Sequence, residues 1–351
     1  MLTPVPAAEA LLRLDDYSAV IDARSESEFA LDRLPGAVNW PSLNDAERAS
    51  VGTEYTQVSP FTARKHGAIL VARNIARHIE RELLDKPKDW RPLVYCWRGG
   101  QRSGALGLVL GQIGFRVHLL EGGYREYRRA VLADLERLPG NFDYRVVCGS
   151  TGSGKSRLLQ ALQARGAQVL DLEALAEHRG SVLGLVPGTV QPGQKQFESR
   201  IWDALRRFDP QRPVFVESES RKVGDLRVPT ALIERMRKAP CLRLDMALEQ
   251  RVELLIADYA FFVHDTKTLC ERLTALRMLR GNATVAAWQE AARAGHTREL
   301  VRALLVEHYD PGYAESMLRN FPSLATPRLE LAWDGSEAAL ERAAALAIEA
   351  G

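Results

Sequence analysis

Residues 149–156, GSTGSGKS, run on directly from the apolar stretch 144–148 and lead into 157–165, whose composition favours a helix. The spacing G-x(4)-G-K-[ST] between an expected strand and an expected helix is the sequence form of a phosphate-binding loop, or P-loop. Glycines are required because the backbone must approach phosphate oxygens closely and some positions take positive φ. Gly149, Ser150, Thr151, Gly152, Ser153 and Gly154 would surround a diphosphate, with Lys155 on its terminal oxygens. Ser156 is able to hold Mg2+, and no certain metal site is assigned. A loop of this kind demands a largely parallel sheet flanked by helices, so the rest of the chain must supply the strands.

Those strands are legible on both sides. Downstream, 168–172 and 213–217 are apolar runs of strand length, 248–319 is chiefly helical, 328–333 reads as a final edge strand and 336–350 as a closing helix. Upstream come a strand at 19–23, a short helix at 25–30, a turn at Pro35-Gly36, and an amphipathic helix at 64–84 marked by Ile69, Val71, Ile75, Ile79 and Leu83. A strand at 93–95, a helix at 103–113, a strand at 116–120 and an Arg-rich helix at 124–138 follow. Pro139-Gly140-Asn141 then breaks the chain. At 351 residues the chain is long for one core. The expected fold is therefore an α/β domain over 1–138 and a P-loop α/β domain over 139–351 with a helical C-terminal part.

The first domain carries its own chemistry. In CWRGGQRS, residues 96–103, a cysteine ends a strand and Gly99-Gly100 open a helix. Successive N–H groups and a helix N-terminus form an anion-binding nest, in which a thiol is expected to have a lowered pKa. Arg98 and Arg102 add positive charge, making Cys96 a candidate nucleophile. A buried structural cysteine beside a tight turn is the plainer alternative, though such residues usually have apolar neighbours. Cys96, Cys148, Cys241 and Cys270 lie apart with no C-x-x-C pair, which argues against zinc and against a disulfide framework. A reducing, cytoplasmic setting is expected. The first residues lack the pattern of a signal peptide, and no uncharged apolar run reaches the roughly 18 residues of a membrane span.

The segment IDARSESEFALDRLPGAVN, with Asp22, Arg24, Glu28, Pro35, Gly36 and Ala37, resembles the opening of rhodanese domains, and the Cys96 loop and LLEGGY resemble the remainder. Cys96 to Arg102 is C-x(5)-R, one residue longer than the usual sulfur-carrying loop and similar to that of rhodanese-fold phosphatases. The joint presence of YCWRGGQRS, GSTGSGKS, DLEALAEHRGS, QPGQKQFE, VFVESESRKVG and HYDPGYAESM resembles the tRNA 2-selenouridine synthase family over nearly the whole chain. That resemblance implies a transferase acting on wobble 2-thiouridine in the anticodon loops of tRNAs for Lys, Glu and Gln. It further implies S-geranylation by geranyl diphosphate in the P-loop, then selenation from selenophosphate, with Cys96 carrying selenium as a selenenylsulfide-like adduct.

Other residues are weaker candidates. His178, Arg179, Gln191, Gln194, Lys195 and Glu198 lie in a Gly/Pro-rich stretch that reads either as polar loops over the phosphates or as ordinary surface. Glu217 or Glu219 would supply a Walker-B-like acid or form a solvated acidic turn. A net charge of only +2 means that any RNA site must be local. The bias of 39 Arg to 8 Lys suits phosphate recognition, and a GC-rich genome explains it equally well. Candidate tRNA contacts are Arg125, Arg128 and Arg129, then Arg206, Arg207 and Arg212, with Trp97 stacking on a base or packing on the sheet. Two rival functions remain: a rhodanese-fold sulfurtransferase or phosphatase fused to an NTP-dependent kinase, and a nucleotide-sensing binding module with an inert cysteine.

Overall fold

The structure, a computed structural model, describes residues 2–180, 184, 188 and 190–351, apart from the side chains of Val263, Ala314 and Glu315. Seven positions of the Gly/Pro-rich stretch, 181–183, 185–187 and 189, thus lie outside the described residues. The chain divides into two compact units, Met1–Asp134 with Gly193–Asp203, and Leu135–Pro192 with Ala204–Gly351. Gly193–Asp203, which the linear division at 138/139 assigns to the second domain, belongs to the first unit.

The first unit is built on strands β1 (Leu2–Val5), β2 (Ala19–Asp22), β3 (Ala37–Asn39), β4 (Pro92–Tyr95) and β5 (Val117–Leu120). They pair in the order β1-β5-β4-β2-β3, all parallel. Every residue of β4 is buried, as expected of a strand covered on both faces, which is why it reads as an unbroken apolar run. Ile21, Val94, Leu106, Leu110 and Val117 form the core with Trp40, Trp90 and Phe115. The helix Gln194–Leu205 joins this unit by a buried face of Phe197, Ile201 and Trp202. The Trp202 ring meets Tyr127 edge-on at 5.7 Å, and its Nε1 donates to Asp134 at 2.9 Å.

The second unit contains β6 (Tyr144–Cys148), β7 (Gln168–Leu170), β8 (Val214–Glu217), a small antiparallel pair β9 (Lys222–Val223) and β10 (Leu226–Arg227), β11 (Cys241–Asp245) and β12 (Leu329–Ala332). The main sheet has the order β12-β11-β6-β8-β7 and is again parallel. β12 takes the edge as expected. β11 is not anticipated by the sequence, because exposed Arg243 and Asp245 interrupt its buried Cys241, Leu242 and Leu244. Val147, Leu158, Leu162, Phe215, Leu244, Trp333 and Ala344 pack the sheet core. Helices between Leu248 and Asn320 have a separate core of Phe262, Leu269, Leu273, Leu276, Trp288, Leu300 and Leu304.

Candidate active sites

In both units the loop singled out by sequence leaves the carboxyl end of the middle strand, where open parallel sheets place their ligands. After β4, Cys96 is followed by a turn with Gly99 at φ +67° and then the helix Gln101–Ile113. The turn packs against Gly123, at φ +57°, where an added Cβ would collide with the Cys96 carbonyl and the Gly99 nitrogen. Tyr124 and Arg125 donate their N–H groups to the Cys96 and Trp97 carbonyls at 2.8 and 3.1 Å. Among the described residues nothing accepts from the backbone N–H of Trp97, Arg98, Gly99, Gly100, Gln101 or Arg102. None of these six residues is buried, and the first helical turn leaves its N–H groups unpaired in any case, so the row is open to solvent and able to receive an oxyanion.

Cys96 lies at the base of this row, 3% exposed, and its Sγ accepts a hydrogen bond from Ser103 Oγ at 3.1 Å. Arg102 Nη1 donates to Glu28 Oε2 at 2.8 Å, and Arg48 also pairs with Glu28. Burial would raise the Glu28 carboxyl, but the Arg102 hydrogen bond and charge outweigh it and hold the group below its ordinary value. Arg98 is exposed, and the half-exposed Trp97 stacks on Tyr124 at 5.4 Å. Arg24 stabilises the region from beneath. It is 1% exposed, grips Asp22 through Nε and Nη2, donates to the Asp32 carbonyl and lies 3.9 Å over the Tyr124 ring.

After β6, the P-loop runs into the helix Lys155–Ala164, which Gly154 opens at φ +85°. Trp333 fills the space where a Gly154 side chain would be. Within the loop Ser153 N donates to Ser150 O at 3.0 Å, and Lys155 Nζ rests on Gly149 O at 2.8 Å. The N–H groups of Ser150, Thr151, Gly152, Gly154, Lys155 and Ser156 have no acceptor among the described residues. Two residues not singled out by sequence fix the loop from the helical part. Tyr313 Oη accepts from Gly149 N at 2.7 Å, and Arg251 Nε donates to Thr151 O at 2.9 Å while its two Nη atoms hold Asp310.

Carboxylates gather beside Lys155. Ser156 Oγ donates to Glu173 Oε2 at 3.0 Å, Glu217 Oε1 accepts from Glu173 N at 2.8 Å, and Glu217 Oε2 is buried without a partner. An added Cβ at Gly180 would lie 2.6 Å from one Glu173 oxygen and 3.0 Å from one of Glu219, so these acids share one space. Burial pushes Glu219 up to about 8, reinforced by the Glu173 charge and opposed by Lys155. Burial also raises Glu173, and raises Glu217 well above its ordinary value. These are enclosed acids rather than a solvated turn. Glu173 was absent from the sequence candidates, although an acid just past the end of β7 stands where a ligand-facing group would.

The remaining candidates fall in several places. His178 is buried, its Nδ1 accepts from Gly180 N, and burial lowers its pKa. Arg179 donates to the Asp258 carbonyl and lies 4.8 Å from the Tyr259 ring centre. Gln191 is a brace: its amide joins the Ala176 and Val223 carbonyls and accepts from Asp225 N. Gln194, Lys195 and Glu198 belong to the first unit, with Gln194 hydrogen-bonded to Glu198. By contacts they therefore lie apart from His178, Arg179 and Gln191, with which the sequence grouped them. Arg128 is enclosed, paired with Glu198 and bonded to Lys195 O and Ser199 Oγ, with Asp32 at 3.7 Å. It is committed to holding the helix Gln194–Leu205 instead of facing a polyanion. Arg125 and Arg129 are exposed, Arg129 pairing with Glu126. Arg206 is half-buried, Arg207 is exposed, and both have partners. Arg212 donates to the Gly166 carbonyl. No helix among the described residues is long and apolar enough to cross a membrane.

Residues 142–272 match the family model described as "tRNA 2-selenouridine synthase AAA domain", and residues 6–130 match "Rhodanese-like domain". The chain is 35% identical over 257 residues to a tRNA 2-selenouridine synthase of Nitrosomonas europaea, covering 70% of this chain and 66% of that protein, a little under two-thirds of its length. It is 32% identical over 326 residues to one of Alcanivorax borkumensis, covering 84% and 88%. It is also 32% identical over 356 residues to one of Pseudomonas putida, covering 93% of each.

Proposed function

The chain belongs to the tRNA 2-selenouridine synthase family, and on that premise we propose that it converts wobble 2-thiouridine of tRNAs for Lys, Glu and Gln to 2-selenouridine. The observation that carries this reading is the pair of loops, each on the middle strand of its own sheet and each with a row of N–H groups lacking a protein acceptor. Each suits a co-substrate bearing an oxyanion, geranyl diphosphate in the P-loop and selenophosphate at Cys96.

Activation must precede exchange, because a thiocarbonyl sulfur leaves C2 poorly whereas an alkylated sulfur leaves as a thiolate. In the first step the uridine sulfur bonds to the first carbon of the prenyl chain as the carbon–oxygen bond to diphosphate breaks. Lys155 and the loop N–H groups stabilise charge on the departing diphosphate. Burial raises Glu173, Glu217 and Glu219, and a cation among them would favour their ionised form again. Hard oxygen donors at Ser156 and Glu173, with the orphaned oxygen of Glu217, fit Mg2+ held jointly with diphosphate oxygens. When bound it would supply further neutralisation of diphosphate charge.

In the second step selenium of selenophosphate adds to C2, the geranylthiolate leaves, and water cleaves the selenium–phosphorus bond to release phosphate. Selenium keeps its oxidation level throughout. A selenenylsulfide on Cys96 would add a redox step that the net exchange does not need, so Cys96 and Arg102 are assigned to binding and activating the donor. The test is to incubate the purified protein with 2-thiouridine tRNA and both donors and follow nucleosides by mass spectrometry. Geranylated thiouridine should form first and 2-selenouridine after it. Unchanged thiouridine, together with Cys96-dependent release of phosphate from an aryl phosphate, would favour the phosphatase–kinase alternative.

A further inference from the structure

An apolar cavity of about 210 Å³ lies in the second unit, lined by Thr151, Leu255, Phe262, Leu269, Leu300 and Leu304 among others. Thr151 is itself a P-loop residue, and Leu255 stands 2.8 Å from the position of a Cβ added to Gly152, so the P-loop forms one wall. Arg251, 6% exposed, ties that wall to the helical part through Thr151 O and Asp310. The opposite lining comes from the helices Thr266–Thr274 and Asn282–Arg293, with Leu269 and Ala292 buried there. A nucleoside would need polar partners for its base and sugar. The lining is chiefly hydrocarbon, with Thr266, Arg293, Thr297, Tyr259 and Tyr309 as the side chains beyond the P-loop that carry a polar group. A head of two phosphates joined to a wholly apolar tail matches both halves of the site.

We propose that this cavity receives the isoprenoid chain of an allylic diphosphate whose head lies in the P-loop, and that its volume selects chain length. The inference rests on the reading of the P-loop as a prenyl-donor site. An engineered apolar cavity of about 150 Å³ admits benzene, so in proportion about 210 Å³ takes roughly eight carbons. A ten-carbon chain whose first carbons remain at the mouth with the diphosphate fits; a twenty-carbon chain does not.

Calorimetry on the full chain with inorganic diphosphate and with dimethylallyl, geranyl and geranylgeranyl diphosphates tests this. Geranyl diphosphate should bind at least about 30-fold tighter than inorganic diphosphate, because apolar carbons leave water, and geranylgeranyl diphosphate no tighter than geranyl. Filling the cavity by Ala292→Phe, or more gently by Ala292→Leu, should weaken geranyl diphosphate by about tenfold or more, the loss of one or two buried methylenes or greater. The same variants should leave inorganic diphosphate affinity unchanged, which also reports an intact P-loop. Tight geranyl diphosphate binding that ignores residue 292, or affinity that keeps rising to twenty carbons, would overturn the cavity assignment and leave the donor reading standing. Geranyl diphosphate binding no better than inorganic diphosphate would remove the donor reading and the cavity assignment together. Should neither variant retain diphosphate affinity, the chain-length series on the unaltered protein decides.

Discussion

Glu219 shows how burial changes the meaning of a residue. In sequence it is one of two acids near the end of an apolar run; in the fold it is enclosed with Glu173 and Glu217 and pushed up to about 8. The unfolded chain releases this proton near the ordinary value of 4.5, so between there and about 8 the folded protein holds a proton that the unfolded chain has lost. Stability from this group is therefore full at low pH and declines as pH rises through that window. Glu219→Gln should remove this decline. Thermal melts at pH 5 and pH 8 are expected to show the variant gaining on the unaltered protein at the higher pH, by on the order of a few kcal/mol. An equal effect of the substitution at both pH values would contradict this assignment. At this scale the sequence spoke clearly only where residue type and backbone form coincide, as at Cys96, Lys155 and their glycines. Arg128 and Gln191 had the chemistry of exposed binding groups, and their partners, Glu198 and the Ala176 and Val223 carbonyls, are distant in the chain. No local pattern announces such pairings.

Elements whose signals are local were legible. Tyr144–Cys148 is a strand of five residues without a charge except Arg145, and the glycines after it could only turn. The helix Gln194–Leu205 was obscured because its polar first turn follows Pro192-Gly193 and resembles loop, while its apolar residues face the first unit. β11 was missed for a similar reason, since its alternation reports burial on only part of its surface. Tyr313 and Arg251 reach the P-loop from helices 164 and 100 residues away in sequence, so no local pattern announces their role. At the P-loop the tightest constraint is Gly154, with positive φ and Trp333 against its α-carbon. Gly154→Ala should displace Trp333 or the loop and lower affinity for inorganic diphosphate by at least about tenfold, corresponding to roughly 1.4 kcal/mol. Binding measured by calorimetry alongside tryptophan fluorescence checks it, and unchanged affinity would mean that the loop tolerates a side chain there.

At the scale of the whole molecule, two parallel sheets each carry one glycine-rich loop at the carboxyl end of the middle strand. The loops differ in what stands beside the N–H row: a thiol with Ser103 and the Arg102–Glu28 pair in one, Lys155 with enclosed acids in the other. On the proposed function, this difference would place donor activation in the first unit and diphosphate departure in the second. The modest net charge of the chain adds nothing to that division, which is local to the two loops. It is tested most directly by supplying both donors to Cys96→Ala and Lys155→Ala proteins and weighing the tRNA nucleosides. Cys96→Ala should accumulate geranylated 2-thiouridine without 2-selenouridine, and Lys155→Ala should leave 2-thiouridine unmodified; the reverse pattern, or geranylation undiminished in Lys155→Ala, would contradict the division of labour.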